Sequence, residues 1–300
     1  MNLFKITLLL IASSNTLYAA ENRPTSEDCF RTVGQTIYGY VCSNKDVVIP
    51  KVISGVTITT IDYNAFYLKS LTSVKIPDSV TTIGVAAFYG NDLTSVIIPD
   101  SVTIIGEAAF KKNKLTSVVI SDSVTTIGVG AFSINKLTSL IIPNSLTRIG
   151  ESAFSSNELT NLIIPDSVTI IDDWAFGSNK LTSVIIPDSV ISIGASAFRG
   201  NDLTSVRIPD SVISIGGAAF SSNELTSVII PNSLSIIEGN AFAYNKFTSV
   251  IIPDSVDMIM SGAFSENELT NVEISKKTSY HFNSFDRSVN VIIRNPQYQN

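Results

Sequence analysis

The residue types that most often carry enzyme chemistry are scarce in this sequence, or they recur too regularly to make one site. The 300-residue chain has one histidine, His281, and two cysteines, Cys29 and Cys42. That supply excludes multi-cysteine metal frameworks and most histidine-based chemistry. Nucleophile-elbow, phosphate-loop and metal-ligand motifs do not occur in the sequence. We therefore predict that the protein is not an enzyme and has no catalytic residue, metal ligand or cofactor, and that His281 lies at the surface or in a cap.

Aspartate forms the most regular series of candidate metal ligands. One carboxylate recurs at the same point of successive segments, at Asp78, Asp100, Asp122, Asp166, Asp188, Asp210 and Asp254. Asn144 and Asn232 interrupt the series, and Ca²⁺ requires about six to eight oxygen ligands in one cage. Because each Asp precedes a serine in a turn-forming segment, we predict turn capping instead of calcium binding.

Composition and charge limit the class of protein. The chain is 44% hydrophobic and 15% charged, with a mean hydropathy of +0.30, which is too apolar for a disordered chain. Its formal net charge of −6 argues against a nucleic-acid partner, which requires a basic surface. No apolar run long enough to cross a bilayer follows the N-terminus, so we predict no transmembrane segment in the mature chain.

Residues 1–20, MNLFKITLLLIASSNTLYAA, have the order of a secretory signal peptide. A lysine precedes a short apolar stretch, and small residues end the segment. We therefore predict a secreted or cell-surface protein, with the periplasm as the alternative. An oxidising compartment favours a structural disulfide between Cys29 and Cys42, which are 13 positions apart.

A 22-residue repeat dominates the rest of the chain. The dipeptide Ala-Phe recurs at a constant interval of 22, with its phenylalanines at Phe66, Phe88, Phe110, Phe132, Phe154, Phe176, Phe198, Phe220, Phe242 and Phe264. Constant spacing without insertions predicts a β-rich solenoid of 22-residue coils stacked in register. One coil cannot bury enough apolar surface to fold alone, so stacking is obligatory.

Each copy can be divided into two extended stretches and a turn. In residues 93–114, LTSVIIPDSVTIIGEAAFKKNK, a β-branched stretch ends at Pro99, and a second extends from Val102 to Ile105. We expect a helical or 3₁₀ turn at 107–110. The period of two directs seven apolar side chains inward, namely Leu93, Val96, Ile98, Val102, Ile105, Ala109 and Phe110.

An asparagine closes nearly every coil, at Asn91, Asn113, Asn135, Asn157, Asn179, Asn201, Asn223, Asn245 and Asn267. A polar residue at a fixed place in a repeat is typical of a buried ladder in which each amide bonds the backbone of a neighbouring coil. An exposed recognition column is the alternative interpretation.

The order L-x-x-V-x-I-P followed by V-x-x-I-G-x-x-A-F-x-x-N resembles the BspA-like leucine-rich repeats, also called the Treponema pallidum type. The resemblance covers residues 49–275, and residues 47–66 look like a first repeat with an insertion. It implies a leucine-rich-repeat solenoid with a parallel sheet on its concave face. It also implies an exported or surface protein that binds other proteins, host extracellular matrix included, and no shared catalytic residue.

The outward positions of the first extended stretch form a candidate partner-binding surface. We name as the outward stripe the residues Ile97, Val119, Ile141, Ile163, Ile185, Arg207, Ile229 and Ile251. A contiguous apolar patch of this size favours a protein contact. Stabilisation of the strands by β-branched neighbours explains the same pattern, and both interpretations stay open.

The sequence also suggests other surface features. A threonine recurs beside the outward serine from Thr72 to Thr270, and such ladders bind ice in flat solenoids, a remote third function here. Trp174 is either a recognition anchor or a packing residue.

The predicted organisation is a signal peptide at 1–20, an N-terminal cap with the disulfide at 21–48, repeats at 49–275 and a C-terminal cap at 276–300. The predicted function is non-catalytic binding of a host or extracellular protein, in adhesion, through the concave strands. An envelope scaffold for bacterial partners is the alternative.

Overall fold

The computed structural model describes residues 23–294. The signal peptide predicted for residues 1–20 lies outside them. The described chain follows successive turns of a right-angled path built from two short strands and a tight turn, and equivalent positions of neighbouring coils lie side by side. No described helix has the length and apolarity needed to cross a membrane.

The second extended stretch of each coil forms parallel pairs with its neighbours, and we call this series the second-strand ladder. The pairing partners are 22 residues apart, as in Ile104 with Thr82 and Thr126. Its strands are Thr36–Tyr40, Thr60–Ile61, Thr82–Ile83, Ile104–Ile105, Thr126–Ile127, Arg148–Ile149, Ile170–Ile171, Ser192–Ile193, Ser214–Ile215, Ile236–Ile237, Met258–Ile259 and Ser279–Tyr280.

The first extended stretch forms a second parallel series, the first-strand ladder, in which most strands pair with one neighbour. Its strands are Asp46–Val48, Ser73–Lys75, Ser95–Ile97, Ser117–Val119, Asn161–Ile163, Ser183–Ile185, Val206–Arg207, Val228–Ile229, Asn271–Ser275 and Asn290–Arg294. The two ladders confirm the β-rich, parallel solenoid predicted from the repeat interval.

The Ala-Phe segment is a pair of tight turns, and the expectation of a helical or 3₁₀ turn at 107–110 was wrong. Ala108 has a φ of 52° and Lys112 a φ of 56°, which a right-handed helix does not allow. Alternate N–H groups point in two directions. Ala109 and Lys111 donate to the carbonyls three residues back, whereas Ala108 and Phe110 donate to Val129 and Ala131 of the next coil, both at 2.8 Å. These intercoil bonds, which we call the turn ladder, offset the cost of the left-handed backbone.

The core is one continuous stack of apolar side chains. All seven inward side chains predicted for residues 93–114 are buried. The Ala-Phe phenylalanines lie face to face, with ring centroids 4.9 Å apart at Phe66 and Phe88 and 5.8 Å apart at Phe154 and Phe176. The stacked phenylalanine spine confirms that equivalent residues of successive repeats become neighbours in space.

The asparagine series is a buried ladder, as predicted. In the coil that ends at Asn113, the amide nitrogen donates to the carbonyls of Phe88 at 2.9 Å and Phe110 at 3.0 Å, and Oδ1 accepts from the N–H of Leu93 at 3.2 Å. Each amide thereby joins its own coil to the preceding one, and the backbone polar groups at this corner are satisfied without water.

The N-terminal segment covers the first coil with aromatic side chains. Glu27–Cys29 is a short 3₁₀ helix, and Phe30–Val33 pairs antiparallel with Thr36–Tyr40. Phe30 and Tyr40 pack on Phe66 at centroid distances of 6.3 and 5.3 Å and end the phenylalanine spine. Cys29 and Cys42 are joined by the predicted disulfide.

The insertion anticipated within residues 47–66 is a small hairpin. Val52–Ile53 and Val56–Thr57 pair antiparallel between the two strands of the first coil. The hairpin projects from the stack without disturbing it, since Thr60–Ile61 still pairs with Thr82–Ile83.

The C-terminal segment continues the same path. Phe285 stacks on Phe264 with a centroid distance of 5.6 Å, although it follows after 21 residues and Ser284 replaces the alanine. The buried Ser284 hydroxyl donates to the Ile259 carbonyl at 2.9 Å, so the polar substitute is satisfied. Asn290–Arg294 then pairs in parallel with Asn271–Ser275.

Candidate functional site

The outward stripe lies on the solvent side of the first-strand ladder. The exposed members include Ile97 at 53%, Ile163 at 68% and Ile185 at 61% exposure, and Ile229 and Ile251 are each 77% exposed. Val119 and Ile141 are half-buried and Arg207 is exposed. The structure thus brings the predicted residues into one column, and the adjacent side chains of each strand, such as Val96 and Ile98, are buried.

Charged residues interrupt and end this apolar column. Arg207 donates to Asp188 at 2.9 Å, so the cation within the stripe is neutralised by a carboxylate of the preceding coil. Lys75 stands in the equivalent outward position at the N-terminal end and Glu273 at the C-terminal end. Because exposed pairs contribute little to stability, Arg207 and Asp188 are available to shape contacts with a partner.

The aspartate series takes part mainly in exposed ion pairs. Asp78 pairs with Lys51 at 2.9 Å, and Asp254 pairs with Arg294 at 2.7 Å. Lys51 also holds the pKa of Asp78 below its usual range. Among residues 23–294, no cluster of three or more His, Cys, Asp or Glu side chains could hold a metal ion.

The turn-forming segments contain a second structural column that the sequence reasoning missed. The serine after each aspartate donates to a carbonyl of the preceding coil, as Ser101 does to Val80 at 2.6 Å and Ser189 to Val168 at 2.7 Å. The constant offset of 21 residues between donor and acceptor is visible in the sequence, and it was the available signal. These serines are linkers between coils, not free nucleophiles.

The turn face carries the variable side chains. Trp174 is partly exposed, and the guanidinium of Arg199 lies 5.6 Å from its ring centroid. Near the N-terminal end, Tyr67 stacks on Tyr89 at 5.1 Å, with the ammonium of Lys112 5.5 Å from the Tyr89 ring. The Tyr89 phenol raises the pKa of Lys112, which therefore stays cationic.

His281 occupies a turn of the C-terminal segment. Its ring is exposed and contacts the Asn283 side chain and the Phe282 ring. Its N–H donates to the Ile259 carbonyl at 3.0 Å, so the residue serves the backbone of the last coils. The printed contacts of the ring thus bring no nucleophile or carboxylate to His281.

Stacked coils of this sequence pattern also identify the family. The model of the BspA-type leucine-rich repeat region matches residues 59–182 and 170–292. The chain belongs to this family. No curated protein matches the sequence significantly.

Solved structures of other BspA-type and related leucine-rich proteins share this fold. A leucine-rich cell surface protein of Faecalibacterium prausnitzii is 24% identical, with a TM-score of 0.52, over 93% of this chain and 97% of that one. A leucine-rich repeat protein of Bacteroides ovatus is 20% identical, with a TM-score of 0.55, over 91% and 97%. The pneumococcal vaccine antigen PcpA is 17% identical, with a TM-score of 0.62, over 89% and 85%. At these identities the likeness shows the fold.

Proposed function

We propose that this BspA-type chain is an exported, non-catalytic adhesion protein that binds a host or extracellular protein through the outward stripe. The observation that carries the proposal is the exposure of large isoleucines in one column of the first-strand ladder. Contiguous apolar surface is costly in water and is typical of protein contacts. The alternation of buried and exposed side chains shows that the column is not needed to fill the core.

Two further observations support export. The Cys29–Cys42 disulfide is suited to an oxidising compartment, and the sequence begins with a signal-like segment. A leucine-rich relative in Faecalibacterium prausnitzii is described as a cell surface protein. Fractionation of the producing cells tests this step: supernatant or intact-cell labelling supports adhesion, whereas release by osmotic shock supports the envelope scaffold.

The binding role is tested with immobilised, purified extracellular-matrix proteins. We expect the double variant Ile163→Thr/Ile185→Thr to reduce binding at least about tenfold, because both side chains lose apolar contact area. The matched control is Ile213→Thr, an isoleucine of similar exposure, 62%, beside the second-strand ladder. Equal binding by both variants would contradict the assignment of the face, and circular dichroism checks that both fold.

A further inference from the structure

The second-strand ladder is interrupted at two junctions. Thr126–Ile127 ends one parallel sheet and Arg148–Ile149 begins another, although the two strands are 22 residues apart like every paired neighbour. The same separation occurs between Ser214–Ile215 and Ile236–Ile237. In both places pairing resumes on the following side, where Ile149 pairs with Ile171 and Ile237 with Ile259.

Both interrupted junctions share one change in the core. The residue that starts the second extended stretch is valine in seven coils, namely at Val80, Val102, Val124, Val168, Val190, Val212 and Val256. It is leucine at Leu146 and Leu234, the two coils that follow an interruption, and both leucines are buried. Asn144 and Asn232 replace aspartate in the same two coils. Leucine has one more methylene than valine and branches farther from the backbone, so it requires more room between closely spaced coils.

The geometry at the first junction shows the opening. Gly128 donates to the Ile105 carbonyl at 2.8 Å, and Gly194 donates to the Ile171 carbonyl at 2.7 Å. The N–H of the equivalent Gly150 makes no such bond to Ile127 in the described chain. A methyl group placed on Gly128 would lie 2.7 Å from the carbonyl carbon of Gly106, whereas one on Gly150 would lie 4.0 Å from that of Gly128.

The opened junction is a cleft between two coils. It has a volume of about 540 Å³, with Thr125 to Val129 on one wall and Thr147 to Glu151 on the other. Arg148 is held away from the first wall, since its guanidinium donates to Asp172 of the following coil, at 2.7 Å from Nη2.

The first-strand ladder is weak at the same junction. Ser117–Val119 pairs with Ser95–Ile97 on one side only, and the next coil contributes no strand at 139–141. The contact that remains there is the N–H of Thr138, 3.4 Å from the Thr116 carbonyl. Few strand bonds therefore hold coil 115–136 to coil 137–158.

The turn ladder continues across this junction. Gly130 and Phe132 donate to Glu151 and Ala153 at 2.8 and 2.9 Å. The rings of Phe132 and Phe154 remain parallel with centroids 5.6 Å apart. The junction is thus closed on the side of the phenylalanine spine and open on the side of the strands, which is the arrangement of a hinge.

We propose that the solenoid bends at the junction between coils 115–136 and 137–158, with the turn ladder as the hinge and Leu146 as the residue that keeps the strand side open. The coils before and after it move as two rigid stacks. Bending alters the distance between Val119 and Ile163 along the outward stripe. The proposal itself depends on the junction alone, not on any ligand.

Amide hydrogen exchange measured by NMR on the intact mature protein tests the hinge. We expect the amides of Thr147 and Gly150 to exchange at least about tenfold faster than those of Thr169 and Gly194, which occupy equivalent positions in a continuous ladder. Equal protection of the two pairs would overturn the hinge.

Two substitutions test the cause. Leu146→Val should slow exchange at Gly150 toward the rate at Gly194, whereas Asn144→Asp should leave it unchanged. The reciprocal variant Val190→Leu should accelerate exchange at Gly194. If Asn144→Asp alone restores protection, or if Leu146→Val folds with exchange at Gly150 unchanged, leucine is not the cause and the proposal fails in that part.

A distance measurement separates the hinge from simple local fraying. Spin labels at exposed Ser95 and Ser183 give a broader distance distribution in the wild-type protein than in Leu146→Val when the stacks move. Labels at Ser183 and Ser205, within one stack, provide the control. Identical widths for the first pair in both proteins would overturn the rigid-body movement.

Discussion

The N–H of Leu181 donates to Oδ1 of Asn201, one turn of the solenoid later, at 3.0 Å. The same carboxamide donates to the carbonyls of Phe176 and Phe198 at 3.1 and 3.0 Å. One buried amide thus satisfies three backbone groups in two coils, none of which has access to water. The arrangement explains why the sequence carries asparagine at this corner in coil after coil.

Replacement of that amide should destabilise the stack. Asn201→Ala leaves one N–H and two carbonyls without this partner, and we expect a loss of about 1–3 kcal/mol in the free energy of unfolding. Urea denaturation followed by circular dichroism measures the change. Asn161→Ala removes an exposed amide and is the control. Two variants of equal stability would refute the structural role of the ladder.

The phenylalanine spine gives a second test of the stacking. Phe198 is fully buried between Phe176 and Phe220, with centroid distances of 5.7 and 5.4 Å. Truncation to alanine in Phe198→Ala should cost about 3–5 kcal/mol, because a large cavity replaces the ring. Phe282→Ala, at a residue 84% exposed, should change the thermal midpoint little. A small shift in both proteins would argue against a packed spine.

Much of this architecture follows from the interval of the repeat. Inward and outward positions alternate with a period of two, so burial of Val96 and exposure of Ile97 could be predicted from the letters alone. The chemistry of a buried amide likewise indicated the role of Asn113. These features depend on local patterns that every copy repeats.

Other features depend on contacts between coils and were less accessible. The left-handed conformation of Ala108 is unfavourable for an isolated alanine, and only the bonds to the next coil make it stable. Phe285 escaped the periodic search because its interval is 21 and Ser284 precedes it. The effect of Leu146 on strand pairing requires the spacing between two coils, which a valine-to-leucine change in the sequence does not reveal.

The missed serine column also makes a measurable contribution. Ser189 donates to the Val168 carbonyl at 2.7 Å, and Ser189→Ala should lower the free energy of unfolding by about 0.5–1.5 kcal/mol. Ser205→Ala, on an exposed serine of the first-strand face, is the matched control. Chemical denaturation of the pair decides the point, and a stability loss confined to Ser205→Ala would reverse the assignment.

Reduction of the disulfide should loosen the N-terminal cap more than the rest of the chain. The Cys29–Cys42 bridge closes a short loop, and in the chain-entropy view such a loop contributes about 3 kcal/mol. In a stack of coils each unit contacts its neighbours, so the lost stability should appear first near the cap. Hydrogen exchange after reduction should therefore accelerate in residues 30–40 while residues 258–285 keep their protection. Uniform acceleration along the chain would mean that the cap nucleates the entire stack, because no local opening could then precede global unfolding.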